Sequence, residues 1–157
     1  MDETLVHFEA KERKFKIRPN CITFLKNLSR IYEIVIFTAA SQDYADWILD
    51  VLDPTHSYIQ HRLYRQHTQY DDGVYVKDLL LLGRDLRRTL IIDNIKENFE
   101  RQAANGFEIV TWLQDPQDRE LERLQTFLQG LVEAQVKDVR PMINLFKAEC
   151  WKSPQKK

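Results

Sequence analysis

The stretch Arg87-Arg88-Thr89-Leu90-Ile91-Ile92-Asp93-Asn94 decides how the rest of the chain is interpreted. Residues 90–92 form a continuous apolar run, which is typical of a strand buried on both faces of a parallel sheet. The run ends abruptly at Asp93-Asn94, and ligands of open α/β sheets lie beyond the carboxyl ends of the strands. The oxygens of these two side chains suit a hard cation. The same residue types also open turns and cap helices, so this pair alone leaves both interpretations open.

Two further stretches repeat this arrangement. The apolar run Ile34–Phe37 ends in Thr38-Ala39-Ala40-Ser41, where small and hydroxyl residues precede a predicted helix whose free N–H groups attract anions. Near the amino end, Asp2 and Thr4 place a carboxylate and a hydroxyl two residues apart. We expect the three polar clusters to share one crevice.

Composition indicates an ordinary globular protein. The chain has 157 residues, of which 43% are hydrophobic and 30% charged, and its formal net charge is -1. That charge gives no general attraction to nucleic acid or membrane, and no apolar run is long enough to span a bilayer. Two cysteines, Cys21 and Cys150, are too few for a disulfide framework and favour a reducing compartment. We predict one domain over residues 1–150 and a solvated basic tail over residues 151–157.

Strands and helices are predicted to alternate, which indicates a three-layer α/β sandwich with a central, mostly parallel sheet. The charged residues 9–16 are expected to form a loop or a short hairpin arm. A helix after Ser41 is predicted to bury one face, stop before Pro54 and pack through Tyr44, Trp47, Ile48, Val51 and Leu52. A short helix is predicted over residues 96–104. Residues 136–146 fit a last strand or helix. A long helix is predicted from Asp118, and the residues predicted for its buried face are Leu121, Leu124, Phe127, Leu128 and Leu131.

Six blocks, in order along nearly the entire chain, resemble the phosphatases that act on the C-terminal repeat domain of RNA polymerase II. This group includes the small C-terminal-domain phosphatases and Dullard-type (NLI-interacting factor-like) enzymes of the haloacid dehalogenase superfamily. The blocks are Asp2-Glu3-Thr4-Leu5-Val6-His7, Phe37-Thr38-Ala39, Tyr44-Ala45-Asp46, Tyr75-Val76-Lys77-Asp78-Leu79, Gly83-Arg84-Asp85-Leu86-Arg87-Arg88 and Asp93-Asn94.

The resemblance implies a Rossmann-like haloacid dehalogenase fold and a protein serine/threonine phosphatase that works through an aspartyl-phosphate. The family motif is Asp-x-Asp-x-Thr, in which the first Asp is the nucleophile and the second is the general acid and base. Asp2 matches the second Asp and Thr4 matches the Thr, so the nucleophile is expected one residue before Met1. The first strand is therefore expected to be truncated at its amino end, and the chain as written is expected to be inactive.

The remaining assignments follow from the same resemblance. Mg²⁺ is the implied cofactor, with Asp2 (through its carbonyl), Asp93 and Asn94 as its ligands. Thr38 and Lys77 match the family's phosphate-binding pair, so the candidate catalytic residues are Asp2, Thr38 and Lys77. The candidate substrate-binding residues are Thr4, Ala39, Arg62 and Tyr44. For Arg62 an ordinary salt bridge is the alternative, and for Tyr44 core packing.

One departure concerns specificity. The stretch between His7 and Arg18 is short and charged, whereas small C-terminal-domain phosphatases carry a longer stretch there that helps build an apolar pocket. Specificity for the polymerase tail is thereby placed in doubt, and the expected partner is a phosphoserine or phosphothreonine protein. A non-catalytic phosphopeptide-binding or scaffold domain is the alternative, while a nucleotide-binding domain lacks a glycine-rich loop. The expected location is nuclear or cytoplasmic.

Overall fold

The computed structural model describes residues 1–151, and within this range the chain folds into eight strands, four α-helices and several 3-10 segments. The strands are β1 (Val6–Glu9), β2 (Lys14–Ile17), β3 (Val35–Phe37), β4 (His61–Leu63), β5 (Gln69–Asp71), β6 (Val74–Val76), β7 (Ile91–Asp93) and β8 (Gly106–Glu108). The helices are α1 (Cys21–Leu28), α2 (Gln42–Leu52), α3 (Glu120–Glu133) and α4 (Val139–Glu149).

The strands of the described residues form four two-stranded sheets. β3 pairs with β4 and β7 with β8, both in parallel, whereas β1–β2 and β5–β6 are antiparallel hairpins. The α/β class is as predicted, and residues 9–16 do form part of a hairpin. The predicted continuous central sheet is not present in these described residues, because β3 and β7 do not pair with each other. The three-layer sandwich therefore stays a prediction.

Helix α2 shows how the predicted and observed faces differ. Its buried residues are Ala45, Ile48, Leu49 and Leu52. Trp47 and Val51, which were predicted to lie on that face, are 45% and 50% exposed. Ile48 and Leu52 are buried as predicted, and Ala45 and Leu49 complete the buried face.

The carboxyl-terminal third covers one side of the core. Helix α3 buries Leu121, Leu124, Leu128 and Leu131, as its spacing predicted. Residues 136–146, left open between strand and helix, fall mostly within helix α4. Trp151 was assigned to the tail, but it is 3% exposed and its ring centroid lies 4.6 Å from that of Phe107. The packed domain thus extends to Trp151, and the rest of the predicted tail lies outside the described residues.

Gly106, the first residue of β8, is the position where a glycine is required. A Cβ there would overlap the side chain of Phe99. Phe99 belongs to the 3-10 segment Lys96–Asn105, which replaces the predicted short helix and is kinked at Phe99 and Gln102. Asn98 of the same segment donates to Asp93 Oδ1 at 3.1 Å, so the segment contacts the carboxyl end of β7.

The described residues contain no helix that combines the length and the apolar character needed to cross a membrane.

Candidate active site

A cleft of about 520 Å³ opens where β3 and β7 end. Five residues proposed from the sequence as catalytic or metal-binding line it, namely Asp2, Thr38, Lys77, Asp93 and Asn94. Ala39 and Tyr44, proposed as substrate-binding residues, line it as well. The three polar clusters predicted at the strand ends thus share one crevice.

Buried ion pairing fixes the floor of the cleft. Thr38, Lys77 and Asp93 are only 2–3% exposed, and the Lys77 ammonium donates to Asp93 Oδ2. The other carboxylate oxygen, Oδ1, accepts from Ile95 N at 2.9 Å and from Asn98 Nδ2 at 3.1 Å. A buried charge needs such a set of partners to offset its desolvation. Asp93 is therefore held in place and fully hydrogen-bonded.

Asp2 is held from the opposite wall. Tyr44 Oη donates to Asp2 Oδ1 at 2.7 Å. Burial, together with this hydrogen bond, raises the pKa of Tyr44 above its usual range, so the phenol stays protonated and remains a donor. Tyr44 also packs edge-to-face on Phe8, with ring centroids 5.4 Å apart. It thus satisfies both earlier interpretations, since it lines the cleft and packs in an aromatic cluster.

Thr4 acts behind the cleft rather than in it. Its side chain is buried and donates to Asn94 Oδ1 at 3.2 Å. Asn94 Nδ2 in turn donates to Thr111 Oγ1 at 3.2 Å. The two contacts set the orientation of the Asn94 amide, so Thr4 positions a candidate metal ligand and does not itself line the cleft.

Arg62 is not brought to the site. Its Nη1 donates to Asp46 at 2.8 Å and to Asp50 at 2.7 Å, and it is absent from the cleft lining. Burial acts to lower the pKa of Arg62, but the hydrogen bonds that it donates to these two carboxylates outweigh burial and raise the pKa. The ordinary salt-bridge interpretation describes Arg62 in this structure.

Arg65 lines the cleft instead, and the sequence reasoning missed it. Its Nε donates to Ala39 O at 2.7 Å, and its guanidinium carbon lies 5.1 Å from the centroid of the Tyr75 ring. Arg65 follows the end of β4, the parallel neighbour of β3. The strand-end rule would have found it, had β4 been recognised within the irregular basic stretch 55–75.

The oxygen donors in the cleft fit a magnesium ion. Asp93 offers a carboxylate, Asn94 an amide oxygen and Asp2 a backbone carbonyl, and Mg²⁺ is usually bound by one or two carboxylates with water completing the octahedron. The described residues hold no group of three or more His, Cys, Asp or Glu placed to bind a metal. The two carboxylates of the cleft balance the cations of Lys77 and Arg65, so a phosphate ester of about −1.5 to −2 charge would leave the site negative without a divalent cation.

Comparison with known proteins identifies the family. The profile of the NLI interacting factor-like phosphatases matches residues 1–140. The chain is 43% identical over 116 residues to CTD small phosphatase-like protein 3 of Caenorhabditis elegans, covering 74% of this chain and 40% of that protein. It is 40% identical over 149 residues to the mitochondrial import inner membrane translocase subunit TIM50 of Kluyveromyces lactis, covering 93% of this chain and 31% of that protein.

The solved structures agree in fold. The fission yeast RNA polymerase II CTD phosphatase Fcp1, in its R271A form bound to beryllium fluoride, superposes with a TM-score of 0.55 at 20% identity, covering 92% of this chain and 44% of that one. This chain therefore spans less than half the length of these relatives. It belongs to the NLI interacting factor-like phosphatase family.

Proposed function

We propose that this domain is a Mg²⁺-dependent protein serine/threonine phosphatase domain that works through an aspartyl-phosphate. The observation that supports this most directly is the convergence of Asp2, Thr38, Lys77 and Asp93-Asn94 on one cleft. Lys77 and Thr38 would bind the oxygens of the transferring phosphoryl group. Asp2 would donate a proton to the leaving seryl or threonyl oxygen and later accept one from water.

Bound Mg²⁺ would neutralise the phosphate charge that otherwise repels a carboxylate nucleophile. Asp93, Asn94 and the carbonyl of Asp2 would hold it. Arg65, at the cleft wall, is a further candidate for the substrate phosphate, because guanidinium groups match phosphate oxygens in a bidentate arrangement.

No carboxylate among the described residues is well suited to be the nucleophile, because both carboxylates of the cleft already have partners. The cleft is lined by two carboxylates, Asp2 and Asp93. Asp2 accepts a hydrogen bond from Tyr44, and Asp93 is paired with Lys77. We therefore expect the nucleophilic Asp at the position before Met1, as the family motif requires, and very low activity without it.

A phosphatase assay with Mg²⁺ on a phosphoserine peptide tests this placement. The variants are the 157-residue chain, the same chain with Asp joined before Met1, and a matched control with Asn there. We expect only the chain with the added Asp (the Asp form) to release phosphate from the peptide at a measurable rate. Its rate should exceed that of the other two forms by several orders of magnitude. Equal rates for the Asp and Asn forms would refute the placement of the nucleophile.

A second candidate function is phosphopeptide binding without catalysis, in a scaffold or transport complex. The likeness to TIM50, a translocase subunit by name, favours it. It predicts Mg²⁺-enhanced binding of a phosphopeptide by the Asp form with no release of phosphate. Measuring binding by calorimetry beside turnover separates the two functions.

Substrate and location are proposals of the same kind. The polymerase C-terminal repeat is one candidate substrate, supported by the names of relatives, and the short charged hairpin argues against the usual pocket for it. We keep a nuclear or cytoplasmic location as our prediction, and TIM50 makes mitochondria the competing one. Imaging of the tagged full-length protein in its own cells discriminates between them.

A further inference from the structure

The arginine at the wall of the candidate active site is held by a loop on one side and by an aromatic ring on the other. Arg65 lines the cleft just after the end of β4. Its backbone N–H donates to Ala40 O at 2.9 Å and its Nε to Ala39 O at 2.7 Å, so it is tied twice to the loop after β3. Its guanidinium carbon lies over the Tyr75 ring, 5.1 Å from the centroid, within reach of a cation–π interaction.

These contacts leave the outer part of the guanidinium available to a ligand. Among residues 1–151, no hydrogen bond or ion pair involves Nη1 or Nη2 of Arg65. Two such neighbouring donors can bind two oxygens of one phosphate group. A long side chain that is already held in place loses less conformational entropy when its ligand binds. A group that fixes the Arg65 guanidinium would therefore strengthen phosphate binding without touching the phosphate.

Tyr75 meets this description through its ring. It lies in β6 and precedes Lys77 by two residues, the spacing that places side chains on the same face of an extended strand. Lys77 lines the cleft, whereas Tyr75 is not among the lining residues. The Tyr75 hydroxyl makes no hydrogen bond to another residue of the described range. Tyr75 thus reaches the site only by way of Arg65, and the aromatic face is the part that makes the contact.

The hairpin that carries Tyr75 is attached to the domain by other contacts. Arg101, in the 3-10 segment, pairs with Asp71 of β5 at 3.5 Å. The backbone N–H of Lys77, directly after β6, donates to Asn98 O of the same segment at 2.7 Å. The contact between Tyr75 and the arginine of the cleft is therefore not needed to hold the hairpin in place.

We propose that Tyr75 is a positioning residue of the candidate active site, which holds the Arg65 guanidinium at the cleft wall so that Nη1 and Nη2 face a substrate phosphate. This inference rests on the proposed function, since it takes Arg65 as a ligand of the phosphate. It adds that the strand leading to Lys77 also supports the second cation of the site.

Binding of a phosphoserine peptide to the 157-residue chain in the presence of Mg²⁺, measured by calorimetry, tests the proposal without requiring turnover. The variants are Tyr75→Leu and Tyr75→Phe, each alone and combined with Arg65→Gln. The matched control is Tyr70→Leu. Tyr70 is the cross-strand partner of Tyr75, with ring centroids 5.0 Å apart, and is 69% exposed. Its removal breaks the aromatic pair of the hairpin and leaves the ring under Arg65 in place.

We expect Tyr75→Leu to weaken peptide binding by about 3-fold or more, the range of a cation–π contact at a partly exposed site. Tyr75→Phe keeps the ring and should bind within about 1.5-fold of the parent chain, as should Tyr70→Leu. In the Arg65→Gln background, Tyr75→Leu should cause no further loss, because the ring acts through the arginine. Urea unfolding of the same variants separates a loss of binding from a loss of stability.

Unchanged binding in Tyr75→Leu, while Arg65→Gln weakens binding, would overturn this inference and leave the proposed function standing. An equal loss in Tyr70→Leu, or a further loss from Tyr75→Leu in the Arg65→Gln background, would overturn it as well, because the ring would then act on the hairpin. Binding that neither Arg65→Gln nor any Mg²⁺ concentration alters would overturn both this inference and the proposed phosphate site. The expected pattern of binding, without release of phosphate by the Asp form, would contradict the proposed catalysis alone.

Discussion

At the residue scale, two arginines three positions apart have different surroundings. Arg62 is neutralised by Asp46 and Asp50, whereas Arg65 lines the cleft and donates to a backbone carbonyl. The side chain of Arg62 is 14% exposed and lies against α2. The neighbouring charges, more than the spacing along the chain, decide which guanidinium can face a phosphate.

Arg65→Gln and Arg62→Gln form a matched pair. We expect Arg65→Gln to weaken Mg²⁺-dependent binding of a phosphoserine peptide to the Asp-extended chain by about 10-fold or more, because a hydrogen bond to a charged group contributes roughly 1.5–3 kcal/mol. Arg62→Gln should leave binding within about 2-fold and lower the unfolding free energy, since two carboxylates lose their cation. Calorimetry and urea unfolding measure the two effects. The reverse pattern would restore Arg62 as the phosphate ligand.

Gly106→Ala and Gly130→Ala are a second pair with opposite expected signs. A methyl group at Gly106 would overlap the ring of Phe99, so we expect a loss of about 1–3 kcal/mol in unfolding free energy. Gly130 lies in α3 with open space around its Cβ position. There the substitution should stabilise by up to about 1 kcal/mol, the helix propensity difference. Urea unfolding of both variants is the measurement, and a neutral Gly106→Ala would show that Phe99 moves aside easily.

At the scale of elements, Asp53 organises the connection from α2 to β4. Its carboxylate accepts backbone N–H bonds from Ser57, Tyr58 and Ile59 at 2.8–2.9 Å. Burial acts to raise the pKa of Asp53, but these three donors outweigh it and the pKa is lowered. Pro54 was correctly identified as the end of the helix, while the anchoring role of Asp53 depends on a loop geometry that residue spacing does not reveal.

Asp53 therefore stabilises the fold in a pH-dependent way. A carboxylate whose folded pKa is lowered contributes stability above its unfolded pKa of about 3.9, and loses it as pH falls through the folded pKa. We expect Asp53→Asn to unfold more easily than the parent chain at pH 7 and pH 5, by similar amounts. The difference should shrink below about pH 4. Urea unfolding across this range checks it, and a difference that grows in acid would contradict the assignment.

The elements that could be predicted are those with strong local periodicity. The leucines of α3 followed from spacing of three and four, and the limits of α2 from Ser41 and Pro54. Thr38 and Asp93 followed from their places after apolar runs, and Asp2 from its position two residues before a hydroxyl. Lys77 needed the family resemblance, since it follows the short strand β6. The 3-10 segment 96–105 and strand β4 escaped because tertiary contacts fix them and local preference does not.

At the scale of the whole molecule, Arg18 connects distant parts of the chain. It is 1% exposed, and its Nε and Nη2 donate to the two carboxylate oxygens of Asp118 at 2.8 and 2.7 Å. Its Nη1 donates to Thr4 O at 3.1 Å and Val110 O at 3.0 Å. One guanidinium thus joins the hairpin, the loop behind the cleft and the residues before α3.

Arg18→Met should lower the unfolding free energy by about 3–5 kcal/mol, because it leaves the Asp118 carboxylate unpaired in a buried place. Arg119→Met is the control, since Arg119 pairs with Glu122 at the surface and should change stability by less than about 1 kcal/mol. Denaturant unfolding of both variants at pH 7 measures the contrast. Equal, small effects would show that the buried pair is not a net stabilising contact.

Sequence reasoning could not have placed Arg18, although it found the residues around it. Asp118 was recognised as the start of a helix, and Arg18 only as the end of a short charged stretch. Neither segment contains a local pattern that identifies the other as its partner, because the two residues are 100 positions apart in the sequence.

The hydrogen bonds that Arg18 makes to Asp118, Thr4 and Val110 have a consequence for folding during synthesis. A nascent chain that has not yet emerged beyond residue 118 exposes an arginine whose native carboxylate does not exist. The amino-terminal hairpin then cannot lock onto the loop behind the cleft, whatever local structure it has already formed. We therefore expect the domain to complete its folding on the ribosome only after α3 has been synthesised. Until then the first half of the chain should stay incompletely folded and accessible to chaperones.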